Sequence, residues 1–535
     1  MYNSPLFWFR MNAIRFFGTA IILLFVAGPL VTLVLDTLLW LKDDQASDIG
    51  AMLSWSRQLS LLAKSVVFSA AVALGDLLIG VIAASLFWTW NTKFNRILAI
   101  GLLSMIAVPP YMHAVAWRFA VDSLNGVTGS IGMPAFAFKG WAAAWWVQMM
   151  ALAPVGAGLS LLGLFSVDTK LFEAGRIAQS DLNSFRRIVL PIAAPPLLAA
   201  TGFIFLYTLV DYSVPSSFLL TTYALEVFAE FSANHSAARA LLISLPFLAL
   251  TLIVLILVLE LLRQAAVRPV SVDAAWTCEP FWPRWFTQLQ GFATALLLLQ
   301  LIVPIISLGM LTESWSALAG AIRSASDEIV QTAWTAALAA IVGLPIAFFA
   351  ALRICEAGRY WWLLVLLPIG IPAPLIGIGL ISLWNNVATA VIYDGALILV
   401  LTYLARFLPI AALVFYAQLR RLDPMPVDAA RILMPNRFRF WVQIYMPLMM
   451  RTCIAASLLM FVLALGELPA SLLTIPAGTG TITIRIYNYM HYGANETVAG
   501  LCLVIPLLTI IYAIFLFGVA GSWRFFLPKI PGKKT

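Results

Sequence analysis

The chain has 535 residues, 62% of them hydrophobic and 10% charged, with a mean hydropathy of +0.96 and a formal net charge of +8. A soluble protein of this size carries roughly a quarter of its residues as charge. A soluble enzyme or binding domain is therefore excluded, and an all-α polytopic membrane protein is indicated. The basic excess is no argument for a nucleic-acid partner, because it is concentrated in short connections between apolar runs.

Windows of roughly 20 apolar residues predict twelve spanning helices. In chain order they lie near 14–40, 65–89, 97–121, 140–165, 193–214 and 240–262, then 287–311, 330–352, 361–384, 393–417, 449–473 and 499–522. No small-residue cleavage site precedes the first, which reads as an uncleaved helix. Pro109–Pro110, Pro195–Pro196, Pro372 and Pro374 predict kinks inside spans, tolerated where neighbouring helices satisfy the freed backbone groups. Cys278, Cys355, Cys453 and Cys502 show no paired spacing, so neither a disulfide framework nor a zinc site is expected.

Alternate connections divide by charge. One set carries most of the Lys and Arg, among them Arg10, Arg15, Lys93, Arg176, Arg186, Arg187, Arg353, Arg420, Arg431 and Lys533. The other carries acids such as Asp43, Asp44, Glu226, Glu230, Asp327 and Glu328. The positive-inside rule places both termini in the cytoplasm.

The two halves repeat. Asp168 and Asp423 are offset by 255 residues, and Pro191 and Pro447, like Asp211 and Glu467, by 256. Six spans per half is an even number, so the repeats run parallel through the membrane. The expected organisation is a first half at 1–265 (core about 60–265), a polar cytoplasmic linker at 266–286, and a second half at 287–535 (core about 328–525).

Two basic segments at matched positions interrupt the apolar pattern: "EAGRIAQSDLNSFRRIVLP" (173–191) and "DAARILMPNRFRFWVQIYMP" (428–447). Each reads as a short helix capped by Asp168 or Asp423, a turn, and a re-entry into the membrane. One copy alone is compatible with an interfacial anchor. Two copies on one face favour a protein-docking surface.

The pattern Glu173-Ala174-Gly175…Phe185…Leu190-Pro191, with its second copy Asp428-Ala429-Ala430…Met446-Pro447, resembles the cytoplasmic loop of ATP-binding-cassette importer permeases of the type I (MetI-like) fold. The resemblance extends over about 60–265 and 328–525. The stretches "DYSVPSSFLLTTYALEVFAEF" (211–231) and "LALGELPASLLTIPAGTGTITIRIYNYMHYGANETVAGLCL" (463–503) look like the fused permeases of ferric-iron importers. Related permeases carry thiamine, polyamines or phosphonates. The resemblance implies that Glu173, Ala174, Gly175, Asp428, Ala429 and Ala430 belong to coupling helices that dock on ATP-hydrolysing subunits. This chain departs from the family pattern in three places: Gln179 and Met434 replace a glycine, the first copy is one residue short, and the second begins with Asp.

No G-x-x-x-x-G-K-[ST] segment occurs. The resemblance therefore implies two copies of a separate ATPase subunit that carry the ATP and Mg, and an external substrate-binding protein. It implies a multi-pass inner-membrane transport subunit with no cofactor, no resident metal and no enzymatic chemistry of its own.

Asp211 and Glu467 are the candidate pathway residues, repeat-related acids at the outer ends of the fifth and eleventh spans. They are placed either to line a vestibule attractive to a cation or to cap the chain where each helix ends before Pro215 or Pro469. Asp76 reads as a buried hydrogen-bonding acid between helices, and Arg406 as a residue that snorkels or pairs within the bundle. Tyr487, Tyr489, His491 and Tyr492 read as an interfacial aromatic belt rather than a metal set. A gradient-driven secondary transporter would need a relay of intramembrane ionisable residues, and a membrane enzyme a cluster of His, Asp or Glu; the few scattered candidates favour neither.

Overall fold

The computed structural model describes residues 18–42, 54–89, 92–266, 280–312, 314–422, 424–433, 440–492 and 495–526. Among the described residues all regular structure is helical. Ten helices are long and apolar enough to cross a membrane: α1 (Gly18–Lys42), α2 (Trp55–Thr89), α5 (Gly140–Phe165), α7 (Asp181–Val210), α9 (Ala237–Gln264), α10 (Arg284–Leu311), α12 (Ser326–Glu356), α15 (Leu397–Arg421), α17 (Gln443–Leu465) and α19 (Thr497–Gly521). Two bent pairs complete the set, α3 (Lys93–Met105) with α4 (Pro110–Ser130) and α13 (Tyr360–Gly370) with α14 (Ala373–Trp384), bringing the number of crossings to twelve if each pair is one span. Shorter helices lie between them: α6 (Thr169–Ala178), α8 (Tyr223–Asn234), α11 (Trp315–Ser324), α16 (Pro424–Leu433) and α18 (Ile482–Tyr492). Every predicted span coincides with one of these helices or pairs.

The proline expectation divides. The third and ninth spans turn by 109° and 105° at their breaks, because Pro109 and Pro372 hold extended backbone (ψ 148° and 135°) immediately before a new helix. Pro374 sits in the first turn of α14, where a missing N–H costs nothing. Pro195 and Pro196, by contrast, lie inside an unbroken helix from Leu190 to Val210. That stretch packs along both α2 and α5, which hold it in line where an isolated helix would bend.

Each half is built on a packed trio: α2, α5 and α7 in the first, and α12, α15 and α17 in the second. The first span of each half leaves its own trio. Helix α1 packs on α14 and α9, and α10 packs on α2 and α4 as well as α19. The largest core cluster accordingly joins Val108, Tyr111, Met112 and Leu206 to Leu404, Phe461, Leu465 and Ile505 across the two halves. The halves are interlocked rather than merely adjacent.

Asp76 is completely buried, but the hydrogen bonds expected of it are absent: neither carboxylate oxygen has a partner among the described residues, and its Cβ lies against Gly156 of α5.

The α1–α14 crossing depends on one glycine. A Cβ at Gly379 would run into the carbonyl oxygen of Pro29, and Thr32 Oγ1 lies 3.3 Å from the Gly379 oxygen. Backbone cannot yield as a side-chain tip can, so Gly379→Ala is expected to cost about 1–3 kcal/mol. Thermal unfolding in detergent checks this; an unchanged midpoint would mean that α1 is not held by this contact.

Candidate functional site

Helix α6 begins where Asp168 Oδ1 accepts from the Lys170 N–H at 3.0 Å, the cap expected from the sequence. Its two faces differ. Thr169, Phe172 and Gly175 are buried, whereas Leu171, Ala174, Ile177 and Ala178 are exposed, with Ile177 at 89%. Gly175 faces inward: a Cβ there would meet Ile188 and the Ser184 hydroxyl, so its small size seats α6 on its own re-entry segment. Ala174, at the other face, is open to a partner. Glu173 is half-buried. Helix α16 repeats the exposed pattern: Met425, Asp428, Ala429, Ile432 and Leu433 are all exposed, with Ile432 at 83%. The Ala430 side chain, Asp423 and the Pro435–Asn436 turn lie outside the described residues.

Aligned on the repeat, Ala174 and Ile177 correspond to Ala429 and Ile432. Both pairs have the i, i+3 spacing that puts two side chains on one helical face. The chain then re-enters the bundle through a π-helical turn in each half, Phe185–Val189 and Trp441–Tyr445, offset by 256 residues. Such turns are rare and often mark functional positions. The turn between α6 and the first re-entry is short: Gln179 and Ser180 are extended and Asp181 already starts the next helical turn.

The first re-entry is fixed to the start of α10. Phe172 and Phe185 contact Trp282 with ring centroids 6.3 and 5.6 Å away, Trp88 lies against both phenylalanines, and Phe286 closes the cluster at 5.1 Å from Trp282. Arg176 Nε bonds Asp181 Oδ1 at 2.9 Å, and Asp181 Oδ2 accepts from the Phe281 N–H. These contacts join α6 to α2, α7 and α10. The second re-entry meets α12 through Phe348 and Tyr445, 6.0 Å apart.

Away from these loops, Asp211 and Glu467 end α7 and α17 in the same manner. Asp211 Oδ1 accepts from the Ser213 N–H (3.1 Å) and hydroxyl (2.8 Å), starting the short helix Ser213–Ser217. Glu467 Oε1 accepts from the Ala470 N–H at 2.8 Å, starting Ser471–Thr474. Both acids therefore cap. Glu467 does more: its side chain is 0% exposed and both its oxygens accept from Arg406 Nη1, at 2.6 and 2.8 Å. Of the two roles open to Arg406, pairing is the one it takes.

Burial raises the Asp211 carboxyl above its ordinary range, while its bonds from Ser213 and the charge of Arg406 pull the other way. The Tyr111 and Tyr212 hydroxyls and Asp211 Oδ2 are buried with no hydrogen-bond partner among the described residues. Gly466 brings the halves together here, its α-carbon so near the break in the third span that a Cβ would lie 2.7 Å from Pro109 Cγ. Of the expected aromatic belt, Tyr489 accepts from Arg485 Nη2 at 3.1 Å, and Arg485 pairs with Glu328 of α12. The His491 and Tyr492 side chains are outside the described residues. Among the described residues no three His, Cys, Asp or Glu side chains converge.

No protein-family model matches the chain. The chain is similar to the Fe(3+)-transport system permease protein FbpB 2 of Haemophilus influenzae, at 21% identity over 452 residues that cover 81% of this chain and 84% of that protein.

Sequence reasoning located both loops and both acids but missed the partners that define each site. The identity of Ile177 and Ile432 at matched positions was an available signal. The Trp282 contact carried none, since it joins residues far apart in the chain. Removing one partner of a buried ion pair costs about 3–5 kcal/mol, while neutralising both costs less. Thermal unfolding should therefore show Arg406→Ala as more damaging than the paired Arg406→Gln/Glu467→Gln variant; equal losses would mean that Glu467 does not depend on the guanidinium.

Proposed function

We propose that this chain is the membrane permease of an ATP-binding-cassette importer, with ferric iron as the substrate and a MetI-like fold duplicated and fused within one polypeptide. The observation that carries the proposal is the repeated, solvent-exposed Ala-x-x-Ile face of α6 and α16. Exposed apolar side chains gather on each short helix, Leu171 and Ile177 on α6 and Met425, Ile432 and Leu433 on α16; a clustered apolar surface outside the membrane spans marks an interaction site, and two copies ask for two partners. Two ATPase subunits, one per helix, satisfy that need. The likeness to a permease of an Fe(3+)-transport system supports both the class and the substrate.

In this reading α6 and α16 lie on the cytoplasmic face, both termini are cytoplasmic, and the chain resides in the inner membrane. A binding protein delivers iron from outside. ATP and Mg bring the two ATPase subunits together, and the coupling helices, including Glu173, Ala174, Asp428 and Ala429, move with them. The aromatic contacts of Phe172, Phe185 and Trp282 convert that movement into a shift of α2, α7 and α10. The interlocked halves then separate on the outer side, at the level of Asp211 and Glu467. Hydrolysis resets the arrangement. The permease itself makes and breaks no covalent bond.

Replacing both exposed isoleucines tests this. Ile177→Glu with Ile432→Glu is expected to leave the chain inserted and folded, because neither side chain packs inward. It should lower binding-protein-stimulated ATP hydrolysis by roughly tenfold or more, the cost of losing two interfacial anchors. Undiminished stimulation in the double variant would remove the docking role and, with it, the importer reading. A second variant, Trp282→Ala, should keep the ATPase bound while lowering transport per ATP hydrolysed; unchanged coupling would show that the aromatic cluster is only structural.

A further inference from the structure

We propose that residues 123–138, the far end of α4 and its return to α5, form a hairpin embedded in the membrane leaflet opposite α6, anchoring the second helix of the broken third span sideways into lipid. The proposal uses neither an ATPase nor iron and goes beyond the importer reading.

Position comes first. Helix α4 leaves α3 at 109°, so it turns across the bundle instead of continuing along it. Its first turns are held by α10: Trp117 Nε1 donates to Gln300 Oε1 at 3.3 Å, and Gln300 Nε2 lies 3.1 Å from His113 Nδ1. Helix α10 starts beside α6 and has 28 residues, and Gln300 lies past its midpoint, about 24 Å from Arg284. That level falls in the far leaflet of a bilayer whose core is about 30 Å thick. Trp117 also meets Trp146 of α5 at 5.5 Å, and the return closes on the bundle where Phe138 lies 5.7 Å from Phe218. Between those two fixed points the chain projects: none of residues 118–142 is buried.

Composition and bonding then select lipid as what covers it. Leu124, Val127, Ile131, Met133 and Phe136 are 57–68% exposed. No residue from Ser123 to Phe138 is charged, and charge returns only at the base, with Arg118, Asp122 and Lys139. Polar groups of the hairpin bond within it. Asn125 Nδ2 donates to the Phe136 carbonyl at 3.0 Å while its Oδ1 accepts from the Phe136 N–H at 2.7 Å, which staples the helix to its return. The Thr128 and Ser130 hydroxyls donate to the carbonyls of Leu124 and Val127 at 3.0 and 2.6 Å. Gly132, at φ +77°, ends the helix so that the Met133 N–H reaches the Thr128 carbonyl at 3.0 Å. Internal satisfaction of this kind is what a bilayer demands, whereas a surface that docks a soluble protein keeps a polar rim around its apolar centre.

Nitroxides placed singly at positions 133 and 136 through a keto amino acid, in the full chain in phospholipid nanodiscs, test the proposal with the native cysteines untouched. Oxygen, which concentrates in lipid, should relax both labels more than a neutral water-soluble nickel chelate does. The order should reverse at position 233, at the exposed end of α8, whose Glu226 pairs with Arg57 well outward of Phe68 on α2. Nickel collisions as frequent at 133 and 136 as at 233 would overturn the proposal. So would nickel access that is lost only when a soluble partner protein is added, since the hairpin would then be a protein-docking surface. Hydrogen exchange on the unaltered chain guards against a label that disturbs the fold. The Ala135 and Ala137 amides have no backbone acceptor among the described residues, yet in nanodiscs they are expected to exchange about tenfold or more slowly than a free peptide. Exchange at the free-peptide rate would place the hairpin in water and likewise overturn it.

Discussion

A carboxylate with no exposure to solvent, set among apolar helices, has to be met by a positive charge or lose its own. Glu467 is met by Arg406 from a different helix, and much of the molecule's organisation at that level follows from the pairing. The acid ends α17, starts the short helix Ser471–Thr474, and through its backbone oxygen accepts from the hydroxyls of Ser471 and Thr483. The preceding residue, Gly466, is pressed against Pro109 at the break of the third span. The ion pair thus sits at the end of α17, one residue from the point where the broken third span abuts it.

In the first half the matching acid, Asp211, has no ion-pair partner among the described residues and is held by Ser213 instead. The two exposed helices α6 and α16, by contrast, present the same Ala-x-x-Ile face, and two like partners would require two such equivalent docking helices. The exchange of first spans, with α1 on α14 and α10 on α2 and α4, ties the halves to each other by packing.

The spans were legible because a bilayer demands long apolar runs, and hydropathy reads that demand directly. The breaks at Pro109 and Pro372 were legible for a similar reason, since a proline after a helix end forces extended backbone. Pro195 and Pro196 carried the same local signal and gave an unbroken helix, because packing along α2 and α5 outweighed it. Asp211 and Glu467 could be singled out as acids at membrane depth related by the repeat. What Glu467 does could not, because Arg406 is 61 residues away and nothing local names it as the partner. Asp76 shows the converse: a buried acid suggests hydrogen bonds, yet it faces a glycine. For the loops, the motif was plain in the sequence, but which side of each helix faces outward emerged only when Phe172 and Gly175 were seen packed beneath it.

Native mass spectrometry of the complex, released gently from its own membrane, bears most directly on the claim that α6 and α16 are paired docking helices. The account predicts one copy of this chain carrying two copies of a P-loop ATPase, with both lost together when the exposed isoleucines are replaced. A chain released alone, under conditions that keep comparable transporter complexes whole, would contradict it and return the two helices to the role of anchors at the membrane surface.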